Sequence, residues 1–596
     1  MLERLFPQQA DDRLFVEDVF STWLYASNNS SQTITNGIDL AGKGGLVWEK
    51  VRDGIGGHVF TDTVRGPGRY LLSNTTGSEV VSTVFGAQSF LNTGFGSSAY
   101  GPGNNIASWT FREAPKFFDV VTYTGNGAGD RNIPHNLGIQ PGAIIVKSVS
   151  QSGDWVFNHR LLGPAPYVGY GTSFLNSAEA STYLLGEGNL GYNGYALCAS
   201  SSSTTFNIGA GGAGVSNVNA SGVTYVAYLF AHDPSADGII QCGSFTTNGS
   251  GYANVNLGYE PQWIMYKSSD STGSWGMGDV MRGMPASTTT TGTGNSAQRL
   301  FANNSNAEGA ETNYVCNVNS TGFTFHSGGY PSSTFIYIAI RRGPMRTPTL
   351  GTSVFNAQAN LTTDANKITT GFVTDWFWQR SAYNSSGNRF QCSQRLTQTA
   401  LSFNSTAAEG GPYGAGYLMF DYNDGFLSNL AGNISPGLMY GFRRAPGFMD
   451  VVCYTGNYNG SNAPLITHNL GVKPELIIQK KRFGTSAFDW FVVSDVVPGS
   501  GIVRYGILNT GAAFQSINSG LLAPTQTGFP AFQSFDSCVA YLFASVPGVS
   551  KVGTYTGNGS SQTINCAFTT GARFVLIKRT DSTGDWYVWD SARGIV

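Results

Sequence analysis

Charge is the first thing this sequence has little of. Asp, Glu, Lys and Arg make up 12% of its 596 residues, against about 25% in ordinary soluble proteins. Net charge is −2, from 34 basic and 36 acidic side chains, and no basic run occurs. Binding of nucleic acid by phosphate neutralisation is therefore not expected. No apolar run reaches the roughly 20 residues that span a bilayer as a helix, so membrane insertion is not expected either. The opening MLERLFPQQADDR carries acids and a proline where a secretory signal needs an apolar core. The seven cysteines (Cys198, Cys242, Cys316, Cys392, Cys453, Cys538 and Cys566) form no Cys-x-x-Cys pair. Their apolar flanks read as strand positions, so reduced core thiols made in a reducing cytoplasm are expected. Gly-x-Ser-x-Gly, His-Glu-x-x-His and Walker signatures are missing. So are heptads and a glycine at every third residue, which excludes coiled coil and collagen.

Glycine is abundant, at 78 residues, and aromatics reach 13%. Asn, Ser and Thr supply most of the polarity. Aromatic and β-branched residues are too frequent for disorder. The composition is that of a long, neutral, all-β protein.

The chain is a repeat array. A strand ending in Phe or Ile is followed four residues later by proline. The five prolines are Pro115, Pro234, Pro344, Pro446 and Pro547, spaced 119, 110, 102 and 101 residues apart. That period is one β-sandwich. Proline cannot donate to a ladder, so each one marks a closing strand's end and a linker's start. Unit starts repeat as well. Phe118-Asp-Val-Val-Thr-Tyr-Thr-Gly-Asn-Gly127 matches Met449 to Asn457 and Val552 to Gly559. A strand running into Gly-Asn-Gly is a turn signal. His135-Asn-Leu-Gly138 and His468-Asn-Leu-Gly471 continue two of the copies. Next comes an apolar strand, a lysine, a polar turn and tryptophan: Lys147 with Asp154-Trp155, Lys267 with Trp275, Lys480 with Asp489-Trp490, Lys578 with Asp585-Trp586. This is a hairpin pattern, and it predicts that units with these signals open with a three- or four-stranded meander. About seven strands per unit are expected, with no helix beyond one turn near Leu2 to Phe6.

A larger period lies above this one. Phe111 to Val121 matches Phe442 to Val452, and Asp270 to Trp275 matches Asp581 to Trp586. Units one to three thus resemble units four to six, as a duplicated block. The expected fold is a tandem array of antiparallel β-sandwich units. Residues 1–16 form an N-terminal anchoring segment. Unit 1 covers 17–116, unit 2 117–234, unit 3 235–345, unit 4 346–446 and unit 5 447–548. Residues 549–596 are the first half of unit 6, from which a longer product is expected.

These motifs resemble a tandem domain of bacteriophage virion proteins of the tail-fibre class, found chiefly in phages of marine bacteria and cyanobacteria. Val16 to Tyr25 and Asn36 to Gly42 also look like the N-terminal unit of such fibres. The resemblance implies a non-enzymatic structural protein of the virion, attached through Met1 to Val16. It implies other tail or capsid proteins and host-surface polysaccharide as partners, and self-association as a trimer. A capsid-surface appendage and a polysaccharide-degrading tailspike are the alternatives.

Candidate chemistry reads as framework. The histidines (His58, His135, His159, His232, His326 and His468) are scattered, and the equivalent pair His135 and His468 suits a turn role. The Asp-Trp pairs recur in every good copy, as a core tryptophan with a capping aspartate does. Acids such as Asp421 and Asp424 occupy turns, and no Asp-x-Asp-x-Asp-Gly spacing marks a calcium loop. No catalytic residue, cofactor or metal ligand is assigned. The least constrained stretches, Gly209 to Gly214 and Ser287 to Gly294, are expected to be binding loops.

Overall fold

The computed structural model describes residues 13–594, apart from 99, 129–130, 163–171, 181–200, 209–217, 287–296, 312–313, 362–366, 381–389, 398, 410–417, 429–436, 458–463, 484–487, 500–502, 518–520 and 532–533. The chain is all-β, with antiparallel sheets grouped into tandem sandwich units. Helix among the described residues is limited to Val16–Val19, Leu40–Lys43, a 3-10 turn at Gly351–Ser353 and the helical residue Val218. The turn expected at Leu2 to Phe6 lies outside the described residues.

Five units share one plan. In unit 1 the opening strand Phe20–Asn28 pairs with the closing strand Pro102–Arg112, whose other edge pairs with the third strand Gly45–Val51. The fourth and fifth strands, Val59–Asp62 and Arg69–Leu72, extend that sheet. The second strand, Gln32–Thr35, joins a small facing sheet with Gly94–Ser97 and Ser89–Leu91. The same order recurs in units 2 to 5. Their closing strands are Thr224–Ala231, Thr334–Arg341, Gly437–Phe442 and Ser534–Phe543.

This corrects the expected opening meander. The meander runs from the third strand onward, and the first strand instead pairs with the last. The reason is burial. Closing strands such as Thr224–Ala231 are buried along nearly their whole length, and a strand apolar on both faces belongs in the middle of a sheet, not at its edge. Part of the glycine content has a similar cause. A Cβ on Gly94, Gly322 or Gly425 would lie 1.9 Å from the carbonyl oxygen of Ile34, Val255 or Ile368 in the facing second strand. Only glycine lets the small sheet close there.

The units do not hang as separate beads. Units 1, 2 and 3 close into a ring. The closing strands contribute Phe111, Phe230 and Ile340 to its shared core, all fully buried. Phe111 lies 5.6 Å from Phe230 and 5.7 Å from Trp263 of unit 3, in edge-to-face geometry. One apolar core runs through all three units. Units 4 and 5 and the hairpin Phe574–Lys578/Trp586–Asp590 of unit 6 repeat the arrangement.

Candidate functional site

The residues that the sequence singled out converge on the joints between units. Strand registers align His58, Trp155, Trp275, Phe390, Trp490 and Trp586 at one position, just before or at the start of the fourth strand. Each of the four tryptophans points its ring N–H into the preceding unit. Trp155 Nε1 donates to the Leu72 carbonyl at 3.0 Å and Trp275 to Phe174 at 2.9 Å. Trp490 donates to Ser402 at 2.9 Å and Trp586 to Ile507 at 3.0 Å. The four acceptors end equivalent fifth strands. Unit 1 has His58 in this place. Its Nδ1 accepts from Trp48 Nε1 at 2.9 Å, and burial holds its imidazole well below the ordinary range. Just past the equivalent fifth-strand end at Phe301, the Ala302 carbonyl accepts from Ser73 Oγ at 2.6 Å, which closes the ring from unit 1 back to unit 3.

Two further donors accompany each ring nitrogen. The lysine at the end of the third strand reaches the same neighbouring turn. Lys147 Nζ donates to Thr76 O, Lys267 to Ala178 O, Lys480 to Ser405 O and Lys578 to Gly511 O, at 3.1 to 3.3 Å. Lys50 reaches Ser305 O at 3.4 Å. A backbone N–H then meets the same turn, from Gly56, Gly153, Gly273, Phe488 and Gly584. The Lys-turn-Trp pattern is therefore a docking module, and the tryptophan is core only because a neighbouring unit covers it.

An asparagine locks four of these modules. Asn74, Asn176, Asn303 and Asn509 accept through Oδ1 from the backbone N–H of His58, Trp155, Trp275 and Trp490, at 2.8 to 3.1 Å. Asn176 and Asn509 also donate through Nδ2 to Asp154 and Asp489. Each of these two aspartates is thus tied to the asparagine that locks its module. The asparagines were missed in the sequence, although each stands two residues after the accepting carbonyl.

Burial lowers the ammonium groups of Lys50, Lys147, Lys267 and Lys480 to about 8. An unfolded lysine holds its proton to about 10.4. Between those values the unfolded chain binds more protons, so stability rises with pH across that window. Thermal melts between pH 7.5 and 9.5 are expected to show a rising midpoint. A falling midpoint contradicts the burial of these charges.

Other contacts between units are acid-centred. Asp62, Asp279 and Asp590 occupy one register position, and each pairs at 2.6 Å with the arginine three residues on: Arg65, Arg282 and Arg593. The same carboxylates accept from closing-strand rings of another unit. Tyr228 OH reaches Asp62 at 2.8 Å, Trp109 Nε1 reaches Asp279 at 3.1 Å and Tyr440 OH reaches Asp590 at 2.7 Å. Asp279 also begins a longer chain. Arg282 lies 5.1 Å over the Trp109 ring and pairs with Glu308 at 2.6 Å. Glu308 pairs with Arg52 at 2.6 Å, and Arg52 with Asp421 of unit 4 at 2.7 Å. Asp421 is thus an ion-pair partner.

A second buried cluster joins the two blocks. Arg444 grips Glu260 of unit 3 with two bonds, at 2.8 and 2.6 Å, and Asp450 at 2.8 Å. Arg482 pairs with Glu409 and donates to the Ala286 carbonyl of unit 3 at 2.9 Å.

The remaining candidates are structural. His135 and His468 each accept at Nδ1 from the backbone N–H two residues on, at 3.2 Å. Burial pushes both imidazoles below their ordinary range. Asp119 and Asp450 accept from the next backbone N–H, at Asn136 and Asn469. Cys242, Cys316, Cys392, Cys453 and Cys538 are buried and in no disulfide, and Cys566 is half-buried. Cys198 lies outside the described residues, as do Gly209 to Gly214 and Ser287 to Gly294. Among the described residues no group of three or more His, Cys, Asp or Glu side chains could hold a metal ion. No described helix is long and apolar enough to cross a membrane.

A family model described as a domain of unknown function, DUF7483, matches residues 16–344 and 428–595, and the chain belongs to that family. The unmatched stretch covers the third linker and most of unit 4. No curated protein and no solved structure matches the chain.

Proposed function

We propose that this DUF7483 chain is a non-enzymatic structural protein of a bacteriophage virion, of the tail-fibre class. One observation carries the non-enzymatic part. The residue types that could do chemistry in the recurring motifs are committed to holding units together. Trp155, Trp275, Trp490 and Trp586 donate across joints, Lys147 and Lys267 are tied to neighbouring carbonyls, and Asp279 is shared by Arg282 and Trp109. A chain that spends its polar side chains on rigidity suits a load-bearing particle component. The tail-fibre assignment rests on the motif resemblance. In this reading residues 1–16 anchor the protein to tail or capsid proteins, and the variable stretches meet host polysaccharide.

The reading includes self-association, with three copies. Packing of copies gives a slender fibre rigidity, and units 1 to 3 also pack against one another within one chain. Equilibrium sedimentation of the full chain counts the copies.

Gold-labelled antibody against the full chain, applied to intact particles, is expected to decorate the tail. Label on the capsid surface replaces the tail assignment by the appendage reading, and unlabelled particles overturn both. Incubation with host envelope glycan is expected to release no reducing ends; release supports a tailspike.

A further inference from the structure

Unit 1 buries a carboxyl at a position where the other units carry none. Glu49 directly precedes the docking Lys50. Val146, Tyr266, Gln379, Gln479 and Ile577 stand at the same place in units 2 to 6. Glu49 is fully buried, and it faces the small sheet.

Hydroxyls surround it. Tyr25 OH, from the opening strand, donates to Oε1 at 2.6 Å, and Tyr100 OH donates to Oε2 at 3.0 Å. Ser97 Oγ, from the small sheet, lies 3.3 Å from Oε1 and 2.6 Å from Tyr25 OH. Among the described residues no cation pairs with the carboxyl. Lys50 reaches away from it, to the Val51 and Ser305 carbonyls. Its strand neighbours Val59 and Ser108 are uncharged. The next titratable side chain is Tyr70, beyond Tyr100.

Units 4 and 5 make the same bonds with a neutral group. Tyr454, the counterpart of Tyr25, donates to Gln479 Oε1 at 2.7 Å. Ser428, the counterpart of Ser97, donates to Gln379 Oε1 at 2.9 Å. Gln479 Nε2 then donates to the Pro530 carbonyl at 2.8 Å. An amide thus ties the two sheets together with no charge to bury. The acceptor in unit 1 can ionise, and a carboxylate taken from water without a cation is costly. Burial pushes the Glu49 carboxyl above its ordinary range, against the pull of the three hydroxyls. Burial raises Tyr25 and Tyr100 as well, so both remain donors while Glu49 titrates.

We propose that Glu49 is a proton-dependent latch between the two sheets of unit 1. Protonated, it holds them closed as Gln479 does in unit 5. Ionised, it loosens the small sheet of Gln32–Thr35, Ser89–Leu91 and Gly94–Ser97. Below about pH 4.3, the ordinary glutamate value, the closed and the opened chain both keep the proton. Above it the opened chain releases the proton first, so the latch weakens as pH rises until the folded carboxyl has ionised. This inference does not depend on the virion reading.

Amide exchange of the full chain, followed against pH at residues 32–35 and 94–97, tests it, with Glu49→Gln as the reference at each pH. The two proteins are expected to exchange alike at the acid end. Above about pH 4.3 the wild type is expected to open more readily, by up to about tenfold per pH unit, before the ratio levels off. The equivalent amides of unit 5, at 466–467 and 528–529, are expected to show no such divergence. Tyr100→Phe removes a donor that favours the carboxylate, so the levelling is expected at higher pH in that variant. A ratio of wild type to Glu49→Gln that stays constant with pH overturns the proposal. So does a levelling point that Tyr100→Phe leaves in place.

Discussion

Arg282→Met is expected to destabilise the protein by about 3–5 kcal/mol, the range for breaking a buried ion pair from one side. The arginine is fully buried. Its guanidinium balances Asp279 and Glu308 together and covers the Trp109 ring. Removing it leaves two carboxylates facing an apolar interior with only Trp109 and Arg52 to answer them. The damage falls on the joint that returns the ring from unit 3 to unit 1, and it continues through Glu308 and Arg52 to Asp421 in unit 4. Chemical denaturation of the variant, followed by tryptophan emission, checks this. Arg282→Lys restores charge but not the fork that binds two acids, so it is expected to fall between. A loss within about 0.5 kcal/mol, the usual range for a surface substitution, shows that the joint does not bear on stability.

The second large effect is expected at the seam between blocks. Glu260→Ala leaves Arg444 without the carboxylate it grips with two hydrogen bonds, and Arg444→Ala leaves Glu260 and Asp450 buried together. Each is expected to cost about 3–5 kcal/mol. The two together are expected to cost less than their sum, because the first removes what the second breaks. Calorimetry supplies a further readout. With the clamp intact the blocks unfold together; without it the endotherm is expected to split into two. Acid probes the same cluster. Burial opposes ionisation of Asp450, but the Arg444 and Arg342 charges prevail and hold its carboxyl below the ordinary range. Its contribution is present above about pH 3.9 and is lost as pH falls through the depressed value.

Much of this architecture was legible before any coordinates. The linker prolines, the three-unit duplication and the all-β character follow from spacing and composition. Strand pairing was less accessible. Alternation says that Phe118 to Thr124 is a strand, but not that its neighbour lies a hundred residues on. The clue was the closing strand's continuous apolar run, since only a central strand hides both faces. The joints were half legible. Lys147, Asp154 and Trp155 stood out because they recur, and a recurring tryptophan was rightly read as buried. Its partner is a backbone carbonyl of another unit, which leaves no mark on the sequence. Asp62-Thr-Val-Arg65, Asp279-Val-Met-Arg282 and Asp590-Ser-Ala-Arg593 share a spacing that is visible in retrospect. It was masked because His159, Gln394 and Ser494 stand at that position in the other units.

Small-angle scattering from the purified full chain tests the closed ring most directly. Six hundred residues folded into one compact body have a radius of gyration of about 25 Å. Two rings of packed units in contact with each other predict a value near that figure and a single-peaked distance distribution. Units strung in line, each touching only its sequence neighbours, give a much larger radius and a long tail of distances. That result would contradict the return contact between unit 3 and unit 1, and the account built on it.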